Sequence, residues 1–331
     1  MTANTSVKIG LVYDLRKDYL KEGYPEEDVA EFDSEETIES LERAIVSLGY
    51  QCERLGNGRK LCKRLIGKDR WDLVFNVAEG LYGRSREAQV PCLLEMHGIN
   101  YTFSDPLVCA MTLDKSFAKR IIRDFGLPTA KFKVIESIED INHISMEYPL
   151  FAKPLSEGTG KGIDANSRIE SPEQMEKVCG DLLNRFAQPV LVEEFLPGRE
   201  FTAAVLGNGE QSHVLGIMEI KLPYDTGGAI YSYVAKEQCE KLVNYVPYQK
   251  GSLHRQLEQL ALKSYKVLQC RDAARVDIRC DKNGIPFFLE INPLPGLHPT
   301  HSDLPMIATQ EGFSYEELID SIIQSALSRV G

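Results

Sequence analysis

The sequence predicts an α/β protein whose first third is a parallel sheet flanked by helices and whose remainder is mixed α+β. Three observations predict it. Apolar, strand-length runs alternate with helix-period segments through the first 105 residues, an order that needs crossovers between parallel strands. Two alternating segments, 201–206 and 214–220, lie close enough in sequence to be antiparallel neighbours. Residues 275–292 read as a β-hairpin with polar groups on one face and apolar groups on the other.

Taken in order, a strand is predicted at 7–13, followed by a charged, Gly- and Pro-containing loop. Ser34 with Thr37 opens a helix on which Ile38, Leu41, Ile45 and Leu48 recur at helical spacing, and Gly49 ends it. A buried strand at 73–77, a helix at 90–97 and a strand at 99–103 complete the first unit. Ser104-Asp105-Pro106 marks a boundary. A helix is expected from 113 to 125, stopped by Gly126-Leu127-Pro128-Thr129. Strands follow at 132–135, 150–153 and 190–194, with a helix at 172–185. A helix at 253–268 precedes the hairpin, and another at 315–327 closes the chain. Three consecutive units result: 1–105, 106–192 and 193–331.

Composition narrows the function classes. A chain of 331 residues, 43% hydrophobic and 26% charged, is ordinary for a soluble globular protein with ample cores. Its 38 basic against 49 acidic residues give a net charge of −11, which argues against non-specific binding to nucleic acid or anionic membrane. No apolar run approaches the ~20 residues of a transmembrane helix. Residues 1–6 lack the basic start of a signal peptide. Eight cysteines without a C-x-x-C pair fit reduced thiols, so a cytoplasmic protein is expected.

The hairpin is the most informative stretch. Asn283-Gly284 between two alternating apolar runs predicts a two-residue type I′ turn, with positive φ at both positions. That turn sets Asp277 opposite Glu290 and Arg275 opposite Asn292, all on one face. Val276, Ile278, Leu289 and Ile291 then share the core-facing side. Directly opposed carboxylates destabilise a hairpin unless a cation lies between them. Asn292 adds a third oxygen, and an all-oxygen set favours Mg²⁺, with Mn²⁺ as the other candidate. The plainer alternative is an exposed face with scattered charges.

Two further segments suit a phosphate-bearing ligand. Lys153 ends a strand and enters the Gly-rich run Ser156-Glu157-Gly158-Thr159-Gly160-Lys161-Gly162. Glycines let backbone N–H groups approach an anion, and the lysine supplies a fixed charge. The run has neither the Walker A nor the dinucleotide spacing, and alone it reads equally as a surface turn. Lys115, near the start of a helix, is alone an ordinary solvated lysine. The second segment runs from an apolar strand into Glu193 and Glu194, then Phe195, Leu196 and a Pro197-Gly198 bend, then Glu200. It offers backbone groups for a base edge and acids for ribose hydroxyls, or is a plain edge connection.

Together, Lys115, Lys153 with its glycine loop, Glu193–Leu196, Glu200, Lys236, Arg275–Asp277, and Glu290–Asn292 followed by Pro295-Gly296 resemble the ATP-grasp superfamily. Within it they look most like D-alanine–D-alanine ligases. The resemblance spans the chain and implies an N-terminal Rossmann-like domain (1–105) before two α+β lobes that enclose ATP. It implies that Lys115, Lys153, Lys236 and the loop glycines Gly158 and Gly160 hold the phosphates. Glu193, Glu194, Phe195, Leu196 and Glu200 hold base and ribose, while Asp277, Glu290 and Asn292 bind Mg²⁺. Arg275 and the Gly296 N–H meet the tetrahedral intermediate. Homodimerisation is also common among such proteins.

The substrate loops depart from that pattern. The family's His-Gly-x-x-Gly-Glu-Asp-Gly segment falls on 81–88, where this chain carries Arg84 and Arg86. Thr159 replaces a loop serine that helps hold the first amino acid, and Glu237 replaces the tyrosine after Lys236. The acid that meets the donor's ammonium falls on Glu31 or Asp33. The acceptor segment aligns with Ser302 and Asp303, and an inward Asp303 would repel a free carboxylate. An arginine pair at 84 and 86 suits a carboxylate-bearing group, or simply pairs with surface charges. The expected activity is therefore an ATP- and Mg²⁺-dependent carboxylate–amine ligase with small-molecule substrates, forming a dipeptide or amide through an acylphosphate. Open alternatives are a strict D-alanine–D-alanine ligase, a phosphotransferase and a nucleotide-binding module without turnover.

Overall fold

The computed structural model describes residues 7–221 and 244–329, and their strands form three sheets. The first sheet is parallel, with β1 (Lys8–Tyr13) between β2 (Gln51–Gly56) and β3 (Leu73–Val77). Alternation along β1 sends Ile9 and Leu11 to one face and Val12 to the other. The first face is covered by α2 (Glu35–Ser47), whose Ile38, Leu41 and Ile45 are buried, and whose N-cap Ser34 accepts from Thr37 N at 3.1 Å. The second is covered by α3 (Gly58–Ile66) and α4 (Gln89–Met96).

Several expectations in this region change. The loop after β1 contains a short helix, α1 (Arg16–Lys21). The strand expected at 99–103 is a single parallel bridge, Val74 to Tyr101. β2 and α3 were not visible as a pattern, because β2 is an edge strand carrying Glu53 and Arg54, whose charges pair with Lys8, Arg64, Glu35 and Glu42. The helix expected at 113–125 is two: α5 (Pro106–Leu113) and α6 (Lys115–Asp124). Asp114 between them is extended, and its carboxylate caps the N–H groups of Ser116 and Phe117 at 3.0 and 3.2 Å. Lys115 is thereby fixed at the head of a helix.

The second sheet is antiparallel, in the order β4 (Phe132–Ile135), β7 (Val190–Glu194), β5 (Leu150–Pro154), β6 (Arg168–Ile169). Leu150, Ala152, Val190 and Val192 bury one face against α7 (Pro172–Phe186). The two-residue period puts Phe151, Lys153 and Glu193 on the opposite face. The third sheet, also antiparallel, runs β10 (Asn244–Pro247), β9 (His213–Lys221), β8 (Glu200–Leu206), β11 (Ala273–Cys280), β12 (Pro286–Asn292). α8 (Ser252–Val267) covers one face of it. On its other side, α9 (Asp303–Gln310) and α10 (Tyr315–Leu327) join Ala204, Met218 and Ala273 to the core of the parallel sheet. α9 was not predicted. Pro305 hid it, although proline in a first turn costs no backbone hydrogen bond.

β11 and β12 keep the expected register at one end and lose it at the other. Arg275 faces Asn292, Val276 faces Ile291 and Asp277 faces Glu290, but a bulge follows and Ile278 faces Phe288. The loop is Lys282-Asn283-Gly284, closed by Asp281 N to Ile285 O at 2.9 Å, and only Gly284 has positive φ, at 79°. This is a three-residue turn rather than the expected type I′ pair. The extra residue is absorbed by the bulge, so Phe288 enters the core where Leu289 was expected. Leu289 instead lines the slot described next.

Candidate active site

A narrow slot opens between the second and third sheets. Phe151, Ile163, Phe195, Leu196 and Leu289 give it apolar walls, while Glu194 and Glu200 lie at its edge. Phe195 is held in place by the guanidinium groups of Arg168 and Arg279, 4.7 and 5.4 Å from its ring centre. Arg279 also pairs with Glu200 at 3.1 Å. Such a slot, with planar apolar walls and carboxylates at one rim, suits a purine base and its ribose.

Behind the slot lies a chain of buried charges. Lys119 Nζ meets Glu193 at 2.8 Å, and Lys153 meets Glu193 at 3.3 Å and Glu290 at 3.6 Å. Lys115 meets Glu290 at 3.7 Å and also donates to the Glu157 carbonyl. Burial pulls the Lys119 ammonium down against Glu193, whereas Lys153, between two carboxylates, is held up despite its burial. Burial would raise Glu193, but Lys119 and Lys153 together hold it down. Lys119 was missed by sequence reasoning. Its signal was a lysine one turn after Lys115, beside Ala118 and Ile122, where the helix buries its face.

At the hairpin, Arg275 grips Asp277 with two hydrogen bonds, 3.0 and 3.1 Å, and reaches Asp303 at 3.4 Å. Asp277 also accepts from Thr202 Oγ1 at 2.8 Å and from Asn292 Nδ2 at 3.3 Å. The opposed carboxylates of Asp277 and Glu290 are thus each compensated by the chain's own cations. Among the described residues no group of three His, Cys, Asp or Glu side chains forms a metal cage. Mg²⁺ does not need one. Two carboxylates and an amide oxygen, with substrate phosphates to complete the shell, are the donors it takes in phosphoryl-transfer sites, so the residues fit.

The slot joins a cleft of about 720 Å³, and Lys115, Glu157, Glu290 and Asp303 line both. Thr159, Arg275, Asn292, Gly296 and Ser302 line this cleft, as do Glu31, Asp33, Glu79 and Glu87. Ser302 Oγ accepts from His298 N at 2.9 Å and would lie 2.8 Å from a Cβ at Gly296.

The expected substrate residues are placed unevenly. Asp303 is inward, but paired with Arg275. Arg84 does not line the cleft; its exposed side chain pairs with Asp114 at 2.7 Å and lies over Phe117. Arg86 is buried and bound to Glu31 at 2.9 Å and to the Ser156 carbonyl at 2.9 Å. Glu31 in turn accepts from Gly158 N at 2.5 Å and faces Lys161 at 3.7 Å. Burial acts against its charge, yet Arg86 and Lys161 hold it ionised. A Cβ at Gly158 would lie 2.6 Å from the Glu31 carboxylate, so the contact depends on glycine. Arg84 and Arg86 are therefore not an anion-binding pair: one pairs with the helix-capping Asp114 and the other latches the glycine loop. Lys236 and Glu237 lie outside the described residues. Sequence reasoning also missed Glu79 and Glu87, which carry no periodic signal and reach the cleft only through the turns after β3.

Two antiparallel sheets that close over a lysine-lined slot, beside a parallel sheet, define an ATP-grasp protein. The D-alanine–D-alanine ligase of Bacillus anthracis, solved in complex with ATP, matches this fold with a TM-score of 0.76 at 22% identity, covering 98% of both chains. Residues 121–324 match the family model described as the D-ala D-ala ligase C-terminus. The D-alanine–D-alanine ligase of Aquifex aeolicus is 33% identical over 289 residues, 87% of this chain and 93% of its own. An uncharacterised protein of Sinorhizobium fredii, y4sG, is 37% identical over 268 residues, 78% of this chain and 75% of its own. The chain belongs to the D-alanine–D-alanine ligase family and is an ATP-dependent, ADP-forming ligase.

Proposed function

We propose that this ligase joins the carboxylate of one amino acid to the amine of a second small molecule through an acylphosphate, with Mg²⁺ as its metal. The observation that supports it is the junction of slot and cleft. There Lys115 and Lys153 meet Glu290, directly across the hairpin from Asp277. Asp277, Glu290 and Asn292 would hold Mg²⁺, which when bound neutralises phosphate charge and holds the reacting groups in line. Lys115 and Lys153 place fixed positive charge where phosphates would cross from slot to cleft. The donor carboxylate attacks the γ-phosphorus and ADP leaves. The amine then attacks the acyl carbon, and phosphate departs. Arg275, whose burial works against its charge but whose charge Asp277 and Asp303 hold firmly in place, faces the developing oxyanion together with the Gly296 N–H. Thr159 and the loop glycines cover the phosphates.

At the donor end, Asp33 is the better anchor for the α-ammonium than Glu31, because Glu31 is already engaged by Arg86, Lys161 and Gly158. The same reading places the enzyme in the cytoplasm, where ATP is available, and expects a homodimer, which light scattering tests. Among the described residues no helix is long and apolar enough to cross a membrane. The relatives' names favour a second reading, with D-alanine as both substrates. One assay tests both. Release of ADP and free phosphate that requires acid and amine together supports the ligase, and D-alanine alone as the best substrate establishes the second reading.

A further inference from the structure

The wall of the cleft nearest the parallel sheet is built from carboxylates. Asp33 is joined to the end of β1 by its N–H to the Asp14 carbonyl, 3.0 Å. Glu79 follows β3, and Glu87 sits in the turn before α4. All three line the cleft, at the C-terminal ends of parallel strands, where such sheets present ligands. Among the described residues none of the three side chains has a hydrogen-bond or ion-pair partner. The nearby cations are committed elsewhere. Arg86 serves Glu31 and Ser156, Lys115 serves Glu157 and Glu290, and Arg16 donates to the Ala30 carbonyl at 2.5 Å.

Burial, with Asp14 adding to it, pushes the Asp33 carboxyl up to about 8. Burial also pushes Glu87 to about 7, with Arg86 opposing, and lifts Glu79 well above the ordinary range, with Glu87 and Glu31 adding. Unpaired carboxylates in a wall are costly unless they hold protons or meet cations. A neutral amino acid would bring one ammonium to three such groups. A donor with a second positive nitrogen brings two.

We infer that the carboxylate donor is a basic or diamino acid, with Glu79 and Glu87 holding its side-chain nitrogen while Asp33 holds the α-ammonium. This rests on the ligase reading above. The donor rather than the acceptor is assigned because Arg275, which on that reading faces the oxyanion at the donor's acyl carbon, and Lys115, which on that reading faces the phosphate the donor attacks, line the same cleft as this acidic wall. One molecule can then present its negative end to the hairpin and its positive end to the sheet. At about 720 Å³ the cleft has room for a longer side chain.

The test compares isosteres: lysine, ornithine and 2,4-diaminobutyrate against norleucine, norvaline and 2-aminobutyrate, in both configurations, with Mg·ATP and each common amino acid as acceptor. Carboxylate-¹⁸O identifies the donor, because one of its oxygens leaves with phosphate. The expected result is a kcat/KM at least about 30-fold higher for the cationic donors, the scale of a charge-assisted hydrogen bond. Label from them should appear in phosphate, and Glu79→Gln and Glu87→Gln should each cut the cationic-to-neutral ratio about tenfold. Equal use of both series, or label arriving only from the neutral partner, overturns the inference and leaves the ligase reading standing. If no pair releases ADP, the ligase reading falls, and Tm shifts decide the site separately. A rise with the cationic series alone, lost in Glu79→Gln, supports it; equal shifts or none overturn it.

Discussion

At the nucleotide end of the cleft, Lys119, Lys153 and Lys115 alternate with Glu193 and Glu290 so that each charge has a partner. At the opposite end, Asp33, Glu79 and Glu87 have none among the described residues. The first arrangement stands complete without ligand, because buried charge must be compensated whether or not ATP is present. On the inference drawn above, the second reserves its charge for the ligand. On that reading the family's common co-substrate meets a preassembled site, while substrate choice is left to groups that titrate, desolvate and pair only on binding. The glycine loop joins the two ends, since Glu31 holds Gly158 and Lys161 on one side and Arg86 on the other.

The largest effect should come from breaking the paired end. Glu290→Gln should lower turnover on the order of 10²–10³-fold, as removal of a transition-state charge partner does. It should also lower the Tm of the nucleotide-free protein, because Lys153 and Lys115 lose a partner at 3.6 and 3.7 Å. Calorimetry checks this, and a rise in Tm would mean that repulsion from Asp277 outweighs the lysine pairing.

Arg86→Met comes next. Removing one partner of a buried pair costs about 3–5 kcal/mol, so denaturant unfolding should show a loss of that size. Hydrogen exchange at 156–162 should speed up in the absence of nucleotide and slow again with Mg·ATP. Exchange indifferent to both would separate this loop from the latch.

The unpaired end should respond to pH with the opposite sign. Asp33 is raised to about 8 in the fold, by burial and then by Asp14, with Arg16 opposing. The unfolded chain therefore binds fewer protons between roughly pH 4 and 8, and stability falls as pH rises through that window. Asp33→Asn removes that penalty. Its Tm should exceed the parent's at pH 8.5, and the difference should vanish near pH 4, while turnover falls. The smallest effect belongs to Arg84→Ala. Its pair with Asp114 leaves Arg84 mostly exposed, so stability should change by less than about 1 kcal/mol and kcat/KM by less than about twofold. A large loss of donor affinity would return Arg84 to the substrate site.

The residues that announce the nucleotide end were legible because local rules place them. Lys153 and Glu193 sit on buried strands whose two-residue period assigns their face, and Arg275, Asp277, Glu290 and Asn292 follow from one hairpin register. Even there the turn was misread. The compensating bulge kept Asp277 opposite Glu290 while exchanging Leu289 for Phe288 in the core. Local pattern alone could not show that exchange, since either residue is apolar enough to be buried.

By itself, then, the sequence determined most strands and helices, though not β2, α3 or α9, and the shared faces of the hairpin's polar residues, because periodicity and turn chemistry act over a few residues. Only the tertiary structure decided which charges are spoken for. Arg84 and Arg86 are two positions apart, yet one faces solvent on Asp114 and the other is buried on Glu31, 55 residues away. Glu31 is occupied and, among the described residues, the Asp33 side chain is not, although the two are only two positions apart. Charge compensation is set by distance in space and by desolvation, and neither is written in the spacing of residues along the chain.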